Sequence, residues 1–134
     1  DVYAITTAVL YQSAVQNFAL APNNLADAPA WAMDFMKEVP TTWDDVKFID
    51  GYPGKYLIFA RRHGDTWYVG AVNAQKDQPL KKKVELTMLT GGEEVTVYSD
   101  TKELVGSKST KKLPKNKKFE INVPYNGAML IVGK

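Results

Sequence analysis

The sequence predicts a mainly β protein: an antiparallel two-layer β-sandwich of seven or eight strands, preceded by one long and one short α-helix. Two observations carry that prediction. Before Val39-Pro40 the apolar residues recur at helical spacing, and after it they fall in short alternating runs divided by Gly, Pro, Asn and Asp. Pro40 has no donor N–H and its ring clashes with the preceding turn, so the helical pattern must stop near Val39. Thr41, Thr42 and Trp43 suit extended backbone, and Trp43 is expected to be buried where the helical front section meets the strands. The chain therefore divides into 1–40 and 41–134.

With 134 residues, 45% hydrophobic and 24% charged, the chain has one domain's length and enough apolar surface for a real core. A net charge of +2 names no partner. The absence of cysteine excludes disulfides and thiolate metal sites, and a single histidine, His63, makes an all-protein zinc site improbable. No basic region precedes the apolar opening after Asp1, so an intact signal peptide is not expected here and a fragment of a longer protein is.

From Val2 to Ala26 no side chain is charged, whereas a surface helix carries charge on one face. At helical spacing Ala4, Ala8, Tyr11, Val15 and Phe18 share a stripe, with Ile5 and Val9 beside it and Tyr3, Leu10 and Ala14 behind. A helix to about Leu20 is expected, apolar on more sides than a small sandwich covers. Thr6, Thr7, Gln12, Ser13, Gln16 and Asn17 would each need a partner in lipid, which argues against a membrane span and for burial against a missing neighbour. Coordinates showing this segment half in water with ordinary packing would remove that argument. Pro22-Asn23-Asn24 ends the helix, and Asp27 with Pro29 marks the start of a second, about Ala28 to Glu38. Trp31 and Phe35 share its apolar face with Ala32 and Met36, while Asp34, Lys37 and Glu38 face water.

The strands follow. Val46 to Asp50 is the first, and Gly51-Tyr52-Pro53-Gly54 turns the chain. Lys55 to Arg62 and Thr66 to Asn73 form a hairpin across His63-Gly64-Asp65; apolar residues on both faces of each place it mid-sheet. Val84, Leu86 and Met88 then alternate with Lys83, Glu85 and Thr87, as in a strand with one wet face. Gly91-Gly92 leads into Glu94 to Ser99, and Asp100 to Lys115 is the least ordered-looking stretch. Phe119, Ile121 and Val123 form the next strand, and Pro124-Tyr125-Asn126-Gly127 turns into the last, Ala128 to Val132.

Lys108, Lys111, Lys112, Lys115, Lys117 and Lys118 cluster late in the chain, with Lys81-Lys82-Lys83 as an extension. Without interleaved aromatics to stack on bases, they predict a solvated edge that resists aggregation rather than a nucleic-acid surface. No catalytic constellation is found: there is no P-loop, G-x-S-x-G, H-E-x-x-H or dinucleotide glycine pattern. Asp44 with Asp45, and Glu93 with Glu94, are neighbours on strands and point to opposite faces, so neither pair makes a site. The aspartates instead suit local hydrogen bonds at a strand start, and His63 sits in a solvated turn. No catalytic or metal residue and no cofactor is assigned.

The run Phe35-Met36-Lys37-Glu38-Val39-Pro40-Thr41-Thr42-Trp43-Asp44-Asp45, continuing to Gly51, resembles the C-terminal region of glycoside hydrolase family 97, whose pattern is close to F-x-K-x-V-P-T-x-W-D-E-T-x-x-L-x-G. The likeness continues through Gly54-Lys55-Tyr56, Ala60-Arg61-Arg62, Gly64-Asp65 and Trp67-Tyr68-Val69-Gly70-Ala71. Upstream, Gln12-Ser13-Ala14-Val15-Gln16 is similar to the family's E-S-P-L-Q, departing at Gln12 and Ala14. The resemblance implies that 1–40 is the last helix of a truncated catalytic barrel plus a linking helix, and 41–134 the C-terminal sandwich. It implies a parent α-glucosidase or α-galactosidase, exported to the periplasm or secreted, whose catalytic acids and Ca²⁺ site lie in earlier domains. It also implies a non-catalytic role in packing on that barrel, and homo-oligomerisation, with no nucleic-acid partner. Tyr11, Val15, Phe18, Trp31, Phe35 and Trp43 are the expected packing or interface residues. The alternative is a carbohydrate-binding module, in which exposed tryptophans, chiefly Trp31 and Trp67, stack on sugar rings.

Overall fold

The computed structural model describes residues 1–134. Three helices, α1 (Val2–Leu10), α2 (Asn24–Asp27) and α3 (Ala30–Glu38), precede eight strands. These are β1 (Asp45–Tyr52), β2 (Tyr56–His63), β3 (Thr66–Asn73), β4 (Leu80–Glu85), β5 (Glu94–Asp100), β6 (Gly106–Lys112), β7 (Lys118–Val123) and β8 (Ala128–Gly133). Every pairing is antiparallel. Six strands form one sheet in the order β1-β2-β3-β8-β5-β6, and β4 with β7 forms a second.

Alternation along the strands decides what the two sheets share. Ile58 and Ala60 of β2, Trp67, Val69 and Ala71 of β3, Val95 and Val97 of β5 and Ile131 of β8 point inward. They meet Leu80 and Val84 of β4 and Phe119, Ile121 and Val123 of β7. The hairpin of β2 and β3 lies inside the larger sheet, as its two apolar faces require.

The opposite face of that sheet is also apolar, and the helices cover part of it. Val2, Ile5 and Val9 of α1 and Phe35 of α3 form a second core with Tyr98, Ala128 and Leu130. Two glycines mark where the helical layer sits down. A Cβ on Gly70 would stand 2.8 Å from Leu10 Cδ2, and one on Gly106 2.9 Å from the Trp31 ring. Trp43 packs edge-on to Tyr68, ring centres 5.4 Å apart, at the junction of the two sections as its sequence position predicts.

Several expectations are corrected. The first helix ends at Leu10, because beyond Leu10 the sheet no longer covers it. The Ser13 hydroxyl then bonds Val15, and Gln16 Nε2 donates to the Ala8 carbonyl at 2.6 Å, replacing helical hydrogen bonds. The burial argument for a missing neighbour therefore fails for Val2–Leu10, whose apolar stripe is met by the sheet. Asp27 caps nothing: it closes the one-turn α2, and α3 starts at Ala30 after Pro29. The stretch expected to be least ordered contains β6, an edge strand with almost no buried side chain. Its Lys108, Lys111 and Lys112 guard that edge as anticipated.

One inward lysine ties the sheets at their rim. Lys82 on β4 bonds Asp50 on β1 beneath the Tyr56 ring, and the Tyr56 hydroxyl donates to the same carboxylate at 3.1 Å. The hydrogen bond from Lys82 holds the Asp50 carboxyl below its ordinary range, with smaller help from Tyr56 and Gly51, although burial works the other way. A depressed carboxylate stabilises the fold fully above its unfolded pKa of about 4, and the benefit disappears as pH falls through the lower folded value. Asp50→Asn is therefore expected to be slightly less stable than the parent chain at pH 7 in urea titrations, with the gap closing in the acid range below about pH 4.

Candidate interaction surface

The outer face of the six-stranded sheet is the functional candidate, because it is apolar and only partly roofed. Its roof is fixed at one point by Asp100, at the end of β5 and 6% exposed. Asp100 Oδ1 accepts from Val2 N at 2.6 Å, and Oδ2 accepts from Tyr3 N at 3.1 Å and Ala128 N at 3.0 Å. An acid here suits the free amides and partial positive charge of a helix N-terminus. Asp1 caps the same turn by accepting from Ala4 N.

A second fixing point is Arg61 on β2, 2% exposed. Its guanidinium lies over Phe59 and Trp43, 5.2 and 5.6 Å from the ring centres, and donates to the Tyr11 carbonyl at 2.7 Å. Burial lowers its pKa, and the group stays a cation. It anchors the start of an extended arm that runs from Tyr11 towards α2.

Beyond these contacts the sheet is bare over β1 and part of β2. Phe48 is 70% exposed, Val46 51% and Tyr52 60%. A cleft of about 810 Å³ opens beside them, walled by Tyr3, Phe48, Tyr52, Leu57 and Val72, with Lys55 and Asn126 at its margin. Charge is divided along β1: Asp44 and Asp45 stand at its start, and Lys55 in the turn at its end. Asp45 accepts from Val46 N, the local bonding expected of it, whereas Asp44 accepts from Gly64 N, twenty residues away in the turn between β2 and β3.

The sequence-predicted residues separate into two groups. Trp31, Phe35 and Trp43 are used inside the molecule: Phe35 is buried between Tyr68 and Tyr98, and Trp31 lies against Tyr98. Tyr11 and Val15 stand in water on the arm, 62% and 84% exposed, and Phe18 is half-buried. Trp67 belongs to the inner core at 7% exposure, with Lys47 and Arg62 over its ring, so the expectation of an open sugar platform there is corrected. His63 is exposed and bonds the Thr42 carbonyl through Nδ1. Sequence reasoning missed Asp100, Phe48 and Tyr52. The turn signal at 51–54 was the only pointer to the cleft's rim. No three His, Cys, Asp or Glu side chains gather where a metal would be held, and no helix is long and apolar enough to cross a membrane.

Comparison with known proteins gives consistent matches. The family model described as "Glycosyl-hydrolase 97 C-terminal, oligomerisation" matches residues 42–132. A retaining α-galactosidase of Bacteroides thetaiotaomicron is 38% identical over 64 residues, covering 48% of this chain and 10% of that protein. A probable retaining α-galactosidase of Streptomyces bingchenggensis is 34% identical over 74 residues, covering 55% and 12%. Among solved structures, a β-arabinopyranosidase superposes with a TM-score of 0.92 at 52% identity, over 98% of this chain and 21% of that one. A glycoside hydrolase family 97 enzyme from Pseudoalteromonas gives 0.80 at 25% identity, over 96% and 21%. The chain thus spans about a tenth of the length of these curated relatives and about a fifth of these solved structures.

Proposed function

Because this chain belongs to the glycosyl-hydrolase 97 C-terminal family, described as an oligomerisation domain, we propose that it is the non-catalytic assembly domain of a glycosidase. The family match over residues 42–132 carries this reading. The parent enzyme is of the α-glucosidase or α-galactosidase type, and the names of the two curated relatives support the latter. Its catalytic carboxylates and Ca²⁺ belong to other domains, and its site of action is the periplasm or the cell exterior. In that parent, α1 and the arm that follows form the last element of the catalytic barrel. Tyr11 and Val15, left in water here, pack against the barrel, with Phe18 beside them.

The chain alone is expected to leave nitrophenyl α-glucoside and α-galactoside unhydrolysed. Turnover that persists through stringent purification and tracks with this polypeptide would contradict the assignment.

A further inference from the structure

We propose that the cleft between Phe48 and Tyr3 is a saccharide-binding site, in which a neutral pyranose ring stacks on the open face of Phe48 while its hydroxyls meet the polar groups at the margin. The inference goes beyond the assembly reading above and takes from it only the choice of sugars to test.

Strand register decides which side chains share the site. Gly51 of β1 pairs with Leu57 of β2, which pairs with Val72 of β3, so these three lie in one row on one face of the sheet. Val72 packs against the helical core, which makes that face the outer one. Phe48 pairs with Phe59, two places along β2 from Leu57, and therefore stands on the same face. The row is the floor of the cleft, and it is low because Gly51 has no side chain. A Cβ there would stand 3.3 Å from both Leu57 Cδ1 and Phe48 Cε2. Phe48 thus leans over the glycine, lodged on one side and still 70% exposed. The opposite wall is Tyr3, fixed by the bond from its amide to Asp100. A ring held in place and open to water suits stacking on the C–H face of a sugar, because little side-chain freedom is lost on binding.

The margin favours a saccharide over other occupants. Asn126 and Lys55 border the cleft, both are exposed, and neither side chain hydrogen-bonds within the chain. Asn126 is set at φ 58 in the turn before β8, where its N–H donates to the Asn73 carbonyl. The volume, about 810 Å³, is that of a small-molecule site. Lys55 is the one cationic side chain at the cleft and Asp1 borders it too, so a phosphate or polyanion finds no cluster of positive charge. An extended peptide finds no free edge. The register of β1 shifts between Phe48 and Asp50, and Val46 N and Gly51 N are taken by the carboxylates of Asp45 and Asp50.

Nitrogen–proton correlation NMR of the chain tests this, with separate titrations of maltohexaose, an α-glucosyl saccharide, and raffinose, an α-galactosyl one. Saturable shifts are expected at the amides of Phe48, Gly51, Leu57 and Val72, with a dissociation constant on the order of 1 mM. Phe48→Ala is expected to weaken binding by roughly tenfold, and its melting temperature shows that the fold is kept, since the side chain is exposed. Asn126→Gly keeps the left-handed backbone, removes the amide and should weaken binding by roughly fivefold. Lys108→Glu, on β6, should leave binding unchanged.

Binding of either sugar that Phe48→Ala and Asn126→Gly both weaken supports the site. Shifts confined to other parts of the chain, or binding indifferent to Phe48→Ala, overturn it. The absence of any saturable shift up to about 20 mM of either sugar also overturns it. Hexanol moving these amides where neither sugar does would mark the face as merely apolar, and shifts that grow with protein concentration alone would give the cleft to a second copy; both outcomes count against the proposal. The assembly reading is judged separately, on the mass of the chain in solution.

Discussion

Phe35→Ala is expected to lower the unfolding free energy by about 3–5 kcal/mol, the usual cost of emptying a buried phenylalanine site. The side chain is 3% exposed, and its ring meets Tyr98 edge-on at 5.4 Å and Tyr68 at 6.5 Å. Such aromatic contacts add to the area term, and neither tyrosine can follow the missing ring because each is held in a strand of the sheet. The loss should release α3 first, so that amides in 30–38 exchange with solvent before those of the inner core. Asp34→Ala, on the exposed side of the same helix, is the control and should change stability by no more than about 0.5 kcal/mol. Urea titration of the two variants checks the difference.

The second large effect is expected at Asp100. Its carboxylate accepts from three backbone amides, two in the first turn of α1 and one at the start of β8. Asp100→Ala strands those donors away from water and is expected to cost about 3 kcal/mol, a fall of roughly 10 °C in melting temperature for a domain of this size. Asp100→Asn keeps one oxygen that can accept but turns an NH₂ towards an N–H, so it should fall between. If α1 were only loosely laid on the sheet, both variants would melt like the parent chain. The site differs from the Lys82–Asp50 tie at the rim, whose partners are half in water and whose loss matters less.

These two positions also show what could be read from the sequence and what could not. Phe35 was legible, because Trp31, Ala32, Phe35 and Met36 repeat at helical spacing and Pro40 closes the helix behind them. The strands of the mid-sheet hairpin were legible for the same kind of reason: period-two alternation between turn residues. Asp100 was not. An acid at the end of a strand looks like any turn residue, and the amides it serves at Val2 and Tyr3 are nearly a hundred places away in the chain. The end of α1 was hidden because the apolar stripe continues through Tyr11, Val15 and Phe18. Only the extent of the sheet beneath it decides where the helix stops. β6 was hidden because an edge strand made of lysine, serine and threonine buries nothing and so leaves no alternation to detect. The partition into six and two strands depends on which strands meet across the sandwich, and β4 and β7 are separated by two members of the other sheet.

The exposed surface follows the same division. The tryptophans drew attention as aromatic platforms, yet the folded chain spends Trp67 on its core and Trp31 and Trp43 on the junction between helices and sheet. The aromatics most exposed to water are Tyr11, Phe48 and Tyr52, with Tyr3 and Tyr125 exposed to a lesser degree, and their neighbours in sequence give no sign of it. Exposure of large apolar side chains on this scale is what an assembly domain needs and what a monomeric one avoids.

That contrast can be put to a single measurement. Sedimentation equilibrium of the purified chain, whose own mass is 14.9 kDa, should return a mass that rises with concentration to at least twice that value. A mass fixed at 14.9 kDa across the whole accessible concentration range would contradict the account.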